Sequence, residues 1–184
     1  MQVTLQGNPR ARVQTAHVTL ARGIGWGLIG GLAGTLVMDL ILMGALSVAG
    51  LPALTCFSIV GNTVARFFSM LGIEMVGGVP LGAAAHYLIG PLVGAIFGTA
   101  VTRVAALWVD TLKKGIVLAI LYVEILSQPI LATTPILLKM TAHETLQWFS
   151  VSFVMHFILA VVLGVSVSYG LRLAKGHMFC AIPF

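Results

Sequence analysis

Long apolar runs separated by short polar ones organise this chain. Apolar residues dominate about 23–48, 80–102, 115–134 and 149–172, each close to the ~20 residues that a helix needs to cross a bilayer. Four membrane-spanning helices are predicted there. Pro80, a favoured first-turn residue, opens the second. Between the first two lies FSIVGNTVARFFSMLGI, 57–73, which is apolar but interrupted by Asn62 and Arg66. So short a run with a central arginine predicts an interfacial or re-entrant helix and not a fifth span. Thr141-Ala-His-Glu144 has the spacing of a capping box, which gives Glu144 a structural job. His143 beside it is expected to be a solvated loop residue.

Within the spans, small residues recur every fourth position, and steps of four share one helix face. The first span carries Gly23, Gly27, Gly31 and Thr35, and the next member is Asp39. The second begins its ladder with His86 and continues through Gly90, Gly94 and Gly98; the fourth begins with His156 and continues through Ala160, Gly164 and Ser168. Small-xxx-small faces let membrane helices approach closely, because packing must replace a hydrophobic force that lipid cannot supply. Gly27, Gly31, Gly90, Gly94, Gly98 and Gly164 are therefore expected at helix–helix contacts, and Asp39, His86 and His156 on the same inward faces. The two halves also look alike. Each has a helix with one mid-span carboxylate, Asp39 or Glu124, followed by a helix with one histidine. That resemblance predicts an internal repeat, 23–103 and 115–173, of two antiparallel hairpins.

Composition rules out a soluble domain. Hydrophobic residues are 59% of the 184 and charged ones 8%, against roughly a quarter charged in soluble proteins; mean hydropathy is +1.06. The net charge of +5 does not point to nucleic acid, because the basic residues are scattered singly and form no strip. They fit membrane topology instead. With the N-terminus inside, Arg10, Arg12, Arg22, Arg103, Lys113, Lys114, Arg172 and Lys175 fall on the cytoplasmic side, and only Arg66 and Lys139 outside. A multi-pass protein of the plasma (inner) membrane is expected, with both termini cytoplasmic. It has a polar arm at 1–22 in place of a cleavable signal peptide, a four-helix domain at 23–175 and a tail at 176–184. Trp26 and Trp108 fall near the inner interface and Trp148 near the outer one. Cys56 and Cys180 are expected on opposite sides of the membrane, which excludes a disulfide between them.

Depth along each helix, at ~1.5 Å per residue, predicts one polar layer in the outer half. It contains Asp39, His86 and His156, with Glu124 about a turn deeper and Gln128 one turn along from it. An ionisable group there costs at least ~2.5 kcal/mol and needs a partner. The layer is open to four readings: an interhelical hydrogen-bond set that fixes register, a proton or cation site, a bis-histidine b-type haem, or a divalent metal held by His86, His156 and Asp39. No cofactor is required by any motif, and no catalytic motif is recognised. GIGWGLIGG (23–31) lacks the preceding strand that a nucleotide loop needs.

GLIGGLAGTLVMDL, followed by the histidine-headed ladders, resembles small four-helix inner-membrane families with a G-x-x-A-G-T-x-x-M opening, such as the YagU-like group. The resemblance covers the first span and implies only the fold. The sequence thus predicts an all-α membrane protein of four helices in two antiparallel hairpins. It is expected to be a non-catalytic or ion-handling subunit of a larger membrane complex, alongside other membrane subunits or further copies of itself. A proton- or cation-coupled transporter, or a haem- or metal-binding electron-transfer subunit, is the alternative.

Overall fold

A computed structural model describes residues 9–179, with side chains described for 20–172. It contains five α-helices: α1 Pro9–Val48, α2 Thr55–Met70, α3 Val79–Arg103, α4 Leu112–Leu138 and α5 Ala142–Phe179, with one 3-10 turn at Ala105–Leu107. Among the described residues there is no strand. Four stretches are long and apolar enough to cross a membrane: Leu20–Val48, Val79–Arg103, Leu112–Leu138 and Ala142–Arg172. Their 25 to 31 residues correspond to about 38–46 Å of helix, more than a ~30 Å hydrocarbon core. This architecture suits a small polytopic membrane protein.

Local sequence explains where these helices begin and end. Gly78 takes φ 89° before α3, and Pro80 fills the first turn, where its missing N–H is not needed. The Thr111 hydroxyl accepts from the Lys114 backbone N–H at 3.2 Å and caps α4. At the far end of α4, Lys139 adopts the left-handed conformation, φ 53°. The capping box follows at once. The Thr141 N–H donates to Glu144 Oε2 at 2.7 Å, and the Glu144 N–H donates back to the Thr141 hydroxyl at 3.3 Å. The cap starts the last helix at Ala142, not at the 149 that hydropathy alone suggests, because Glu144 and Gln147 still belong to its first turns. Likewise α1 begins at Pro9, well before its apolar run.

Glycine contacts set the helix order. A methyl group on Gly27 would strike the Gly94 carbonyl, one on Gly31 the Gly90 carbonyl, and one on Gly98 the Gly23 carbonyl. As the number rises on α1 it falls on α3, so these helices run antiparallel with their backbones in contact. A second glycine face of α1 serves α5: Gly30 abuts Leu163 and Ser166, and Gly34 abuts Leu159. On the other side of α5, Gly164 meets Ile116 of α4, while Trp148 donates its indole N–H to the Leu131 carbonyl at 3.1 Å. The four long helices thus form a curled row, α3–α1–α5–α4. Its two ends, α3 and α4, are linked at depth by the Tyr122 hydroxyl, which donates to the Val93 carbonyl at 3.1 Å.

Beyond that link the row stays open, and α2 bridges it. Gly61 of α2 lies against Gly78, and Gly82 of α3 against the Phe57 carbonyl. Thr63 reaches the Thr134 hydroxyl of α4 at 3.3 Å. The outer faces of the row are apolar. Leu28, Leu32, Leu36 and Leu40 repeat every four residues on α1 and are exposed, as are Leu88, Leu92 and Ile96 on α3. In water such stripes would be aggregation sites; in a bilayer they face acyl chains.

Candidate functional site

The α1–α3 ladder continues beyond its last glycine pair into polar residues. Thr35, 1% exposed, abuts Gly90 and donates its hydroxyl proton to the Gly31 carbonyl at 2.9 Å. One turn further, Asp39 is 3% exposed, and its Oδ1 lies 3.1 Å from His86 Nδ1. The same stepping of four that packs the glycines therefore delivers the carboxylate to the imidazole. The His86 ring also stands edge-on to Phe57 of α2, centroids 5.3 Å apart. The second carboxylate oxygen, Oδ2, is buried and makes no hydrogen bond of ordinary geometry among the described residues, and the Tyr87 hydroxyl stands beside the same carboxylate.

His86 lines a cavity of about 860 Å³ inside the curled row, walled by all five helices. Most of its wall is apolar, including Met38, Leu42, Val60, Ile89, Leu126 and Met155. His156 lines it as well, with Nδ1 held 2.7 Å from the Ser152 carbonyl of its own helix. Asp39 stands behind His86 and is not part of the wall. The arrangement is a buried carboxylate–imidazole pair presented to a cavity, with a second imidazole on the same wall.

Glu124 and Gln128 lie elsewhere. The buried face of α4 runs Gly115, Ala119, Val123, Ser127 and Leu131; Glu124 and Gln128 are each one position on, about 100° round the helix. They face a separate, open groove of about 620 Å³ with Phe149 and Phe153 of α5. There the Gln128 amide donates to Glu124 Oε2 at 3.1 Å, while Glu124 Oε1 is buried and unpartnered. A shared layer of five residues is thus two sites. Depth alone set Glu124 only about a turn below Asp39; the angle around α4 separates them.

The expected metal set is not assembled either. Among the described residues no three His, Cys, Asp or Glu side chains converge to hold a metal ion. His86 has its carboxylate partner and His156 has a backbone carbonyl, and a three-ligand site needs all donors turned to one point. Cys180 lies outside the described residues; Cys56 is a free thiol on α2 beside the cavity.

Three features of the site are missing from a reading of spans and ladders. The cavity itself depends on α3 and α4 not closing the ring. Gly30 and Gly34 make a second close-packing face on α1, one position round from the first ladder. The wall hydroxyls of Thr63, Ser127 and Thr134 come from three different turns on two helices. Of these, only Gly30 and Gly34 carry a legible signal, a small-xxx-small pair in its own right. No protein-family model matches the chain, and neither a curated protein nor a solved structure matches it.

Proposed function

We propose that this chain is a small multi-pass protein of the inner membrane that handles a proton at the Asp39–His86 pair. In this reading the re-entrant α2 and the cavity lie in the outer half, both termini are cytoplasmic, and α1/α3 and α4/α5 are the two hairpins of an internal repeat. The observation that carries the proposal is the pair itself: a carboxylate 3% exposed and 3.1 Å from an imidazole that lines a cavity.

The physical argument concerns where charge can exist in lipid. An isolated ion at this depth costs several kcal/mol. An imidazolium formed on His86 has a counter-charge already in hydrogen-bond contact, so a proton can arrive without creating a lone buried ion. Oδ2, which makes no hydrogen bond of ordinary geometry although the Tyr87 hydroxyl is near, gives the carboxylate a second place to accept. A purely structural hydrogen bond needs neither that second place nor a cavity beside it.

Flux measurements test this directly. Proteoliposomes holding the wild-type chain should dissipate an imposed pH gradient faster than empty vesicles. Asp39→Asn should return the rate to the empty-vesicle level while far-UV circular dichroism stays unchanged. Equal rates for wild type and Asp39→Asn refute the proposal.

A second reading, that the chain works within a larger assembly, is supported by Glu124. A carboxylate in a groove on the outside of the row, with one oxygen buried and unpartnered, is costly against lipid. A neighbouring helix with a hydrogen-bond donor would relieve that cost. Both readings can hold in one molecule.

A further inference from the structure

Close-packed interiors leave few voids larger than a water molecule. A cavity of about 860 Å³ in a chain of 184 residues has the size and apolar wall of a small-molecule site. The chemistry of its few polar groups says what such a molecule must bring.

Two of those groups, the imidazoles of His86 and His156, present open acceptors. The carbonyl of Ser152 can only accept, so His156 Nδ1, 2.7 Å away, carries the hydrogen of that bond. In the neutral ring Nε2 is then a lone-pair acceptor. His86 Nδ1 faces the Asp39 carboxylate at 3.1 Å, and with that carboxylate ionised the same logic makes His86 Nε2 an acceptor. Among the described residues neither Nε2 has a hydrogen-bond donor. Several of the wall's donors are committed to backbone carbonyls, Thr35 to Gly31 at 2.9 Å, Thr55 to Pro52 at 2.6 Å, Thr63 to Ile59 at 2.9 Å, Ser127 to Glu124 at 3.3 Å and Trp148 to Leu131 at 3.1 Å, while the side chains of Cys56, Thr134, Gln147 and Ser152 also line it. An apolar ligand with only acceptor atoms would leave both imidazole nitrogens unsatisfied, whereas one with a hydroxyl would satisfy them.

We infer that the cavity binds a lipid-soluble hydroxyl donor, an alcohol or phenol with an apolar body, whose O–H donates to His156 Nε2 or His86 Nε2. The gap between α3 and α4 supplies the entrance. Tyr122 bonded to Val93 is its floor, and α2, docked through Thr63 on Thr134, is its roof. Ile89 on one side and Leu126 on the other line both the cavity and the exposed surface, so a molecule dissolved in the bilayer enters without crossing water. The inference rests on the same cavity as the proposed function but not on proton uptake by Asp39.

The test compares two probes that differ in one hydrogen-bond donor. Radiolabelled 4-nonylphenol and its methyl ether, 4-nonylanisole, are equilibrated with nanodiscs that contain the protein and with empty nanodiscs. The phenol should be retained at about one molecule per chain above the empty discs, and about tenfold more tightly than the ether, the worth of one hydrogen bond to a buried acceptor. His156→Phe or His86→Phe should bring the phenol down towards the ether, while Ile96→Phe on the lipid face leaves both unchanged; selectivity kept in both histidine variants overturns the inference. Equal retention of the two probes, or no retention above empty discs, overturns the inference; this comparison needs only the wild-type chain and stands if His156→Phe fails to fold. Proton flux separates the two proposals. Lost phenol selectivity with flux still dependent on Asp39 overturns the ligand alone, and phenol binding with flux indifferent to Asp39→Asn overturns proton handling alone.

Discussion

Replacing Gly94 by alanine tests how the bundle is held together. A methyl group there falls on the Gly27 carbonyl and within 3.0 Å of the Gly31 Cα, where carbon atoms prefer roughly 3.5–4.0 Å. Helix α1 must retreat, and it is held against α3 by three such contacts in series, Gly23–Gly98, Gly27–Gly94 and Gly31–Gly90. A gap of ~0.5–1 Å already forfeits a quarter to a half of each dispersion contact, and overpacking of a close-packed site costs about 1–3 kcal/mol. Gly94→Ala should therefore destabilise by about 1–3 kcal/mol and Gly94→Leu by more. Ile96→Leu, two residues away on the exposed face, should stay within about 0.5 kcal/mol. Unfolding by sodium dodecyl sulfate in mixed micelles, followed by circular dichroism, reads the difference. The double variant Gly27→Ala/Gly94→Ala should cost less than the two single changes added, since one retreat relieves both. Gly94→Ala as harmless as Ile96→Leu would refute close backbone contact as the source of stability.

Three other outcomes are expected. Single cysteines at Lys113 and Arg172 should label from the cytoplasm and at Ala53 and Thr141 from outside; opposite sides for Ala53 and Thr141 mean that α2 spans. Thr141→Ala should cost about 1 kcal/mol, and adding Glu144→Ala should cost a comparable amount again, because the Thr141 backbone N–H keeps its bond to Glu144 Oε2 until that carboxylate is removed; the absence of an added loss contradicts a two-bond box. Glu124→Leu should leave the monomer folded but shift its migration on native gels towards smaller species, and unchanged migration argues against a partner at that groove.

What the sequence could foretell follows from which forces act along one helix and which act between helices. Four apolar runs and ladders of small residues are properties of single helices, so the spans and the glycine contacts were legible at Gly27, Gly90 and Gly94. The Thr141–Glu144 cap was legible because its partners are three residues apart. The pairing of Asp39 with His86 followed from two ladders read to the same depth. Glu124 went astray because depth fixes only one of two helical coordinates, and the other, ~100° per residue, turns it towards Phe149 and Phe153. The cavity left no trace in any one segment, since it arises where α3 and α4 fail to meet and α2 closes one end. The Thr141–Glu144 cap also marks the true start of α5 at Ala142, which hydropathy alone misses because a capped, polar first turn does not register as hydropathy.

Proton uptake by the Asp39–His86 pair is the central claim, and pH-difference infrared spectroscopy of the purified protein in hydrated lipid films addresses it without need of partners or substrate. Titration of the wild-type chain should change the carboxylate or imidazole bands by one protonating group that is lost in Asp39→Asn and altered in His86→Gln, while Glu124→Gln removes a different component. A difference spectrum that is identical in wild type, Asp39→Asn and His86→Gln would contradict it, and would leave the pair as a hydrogen bond that only holds α1 to α3.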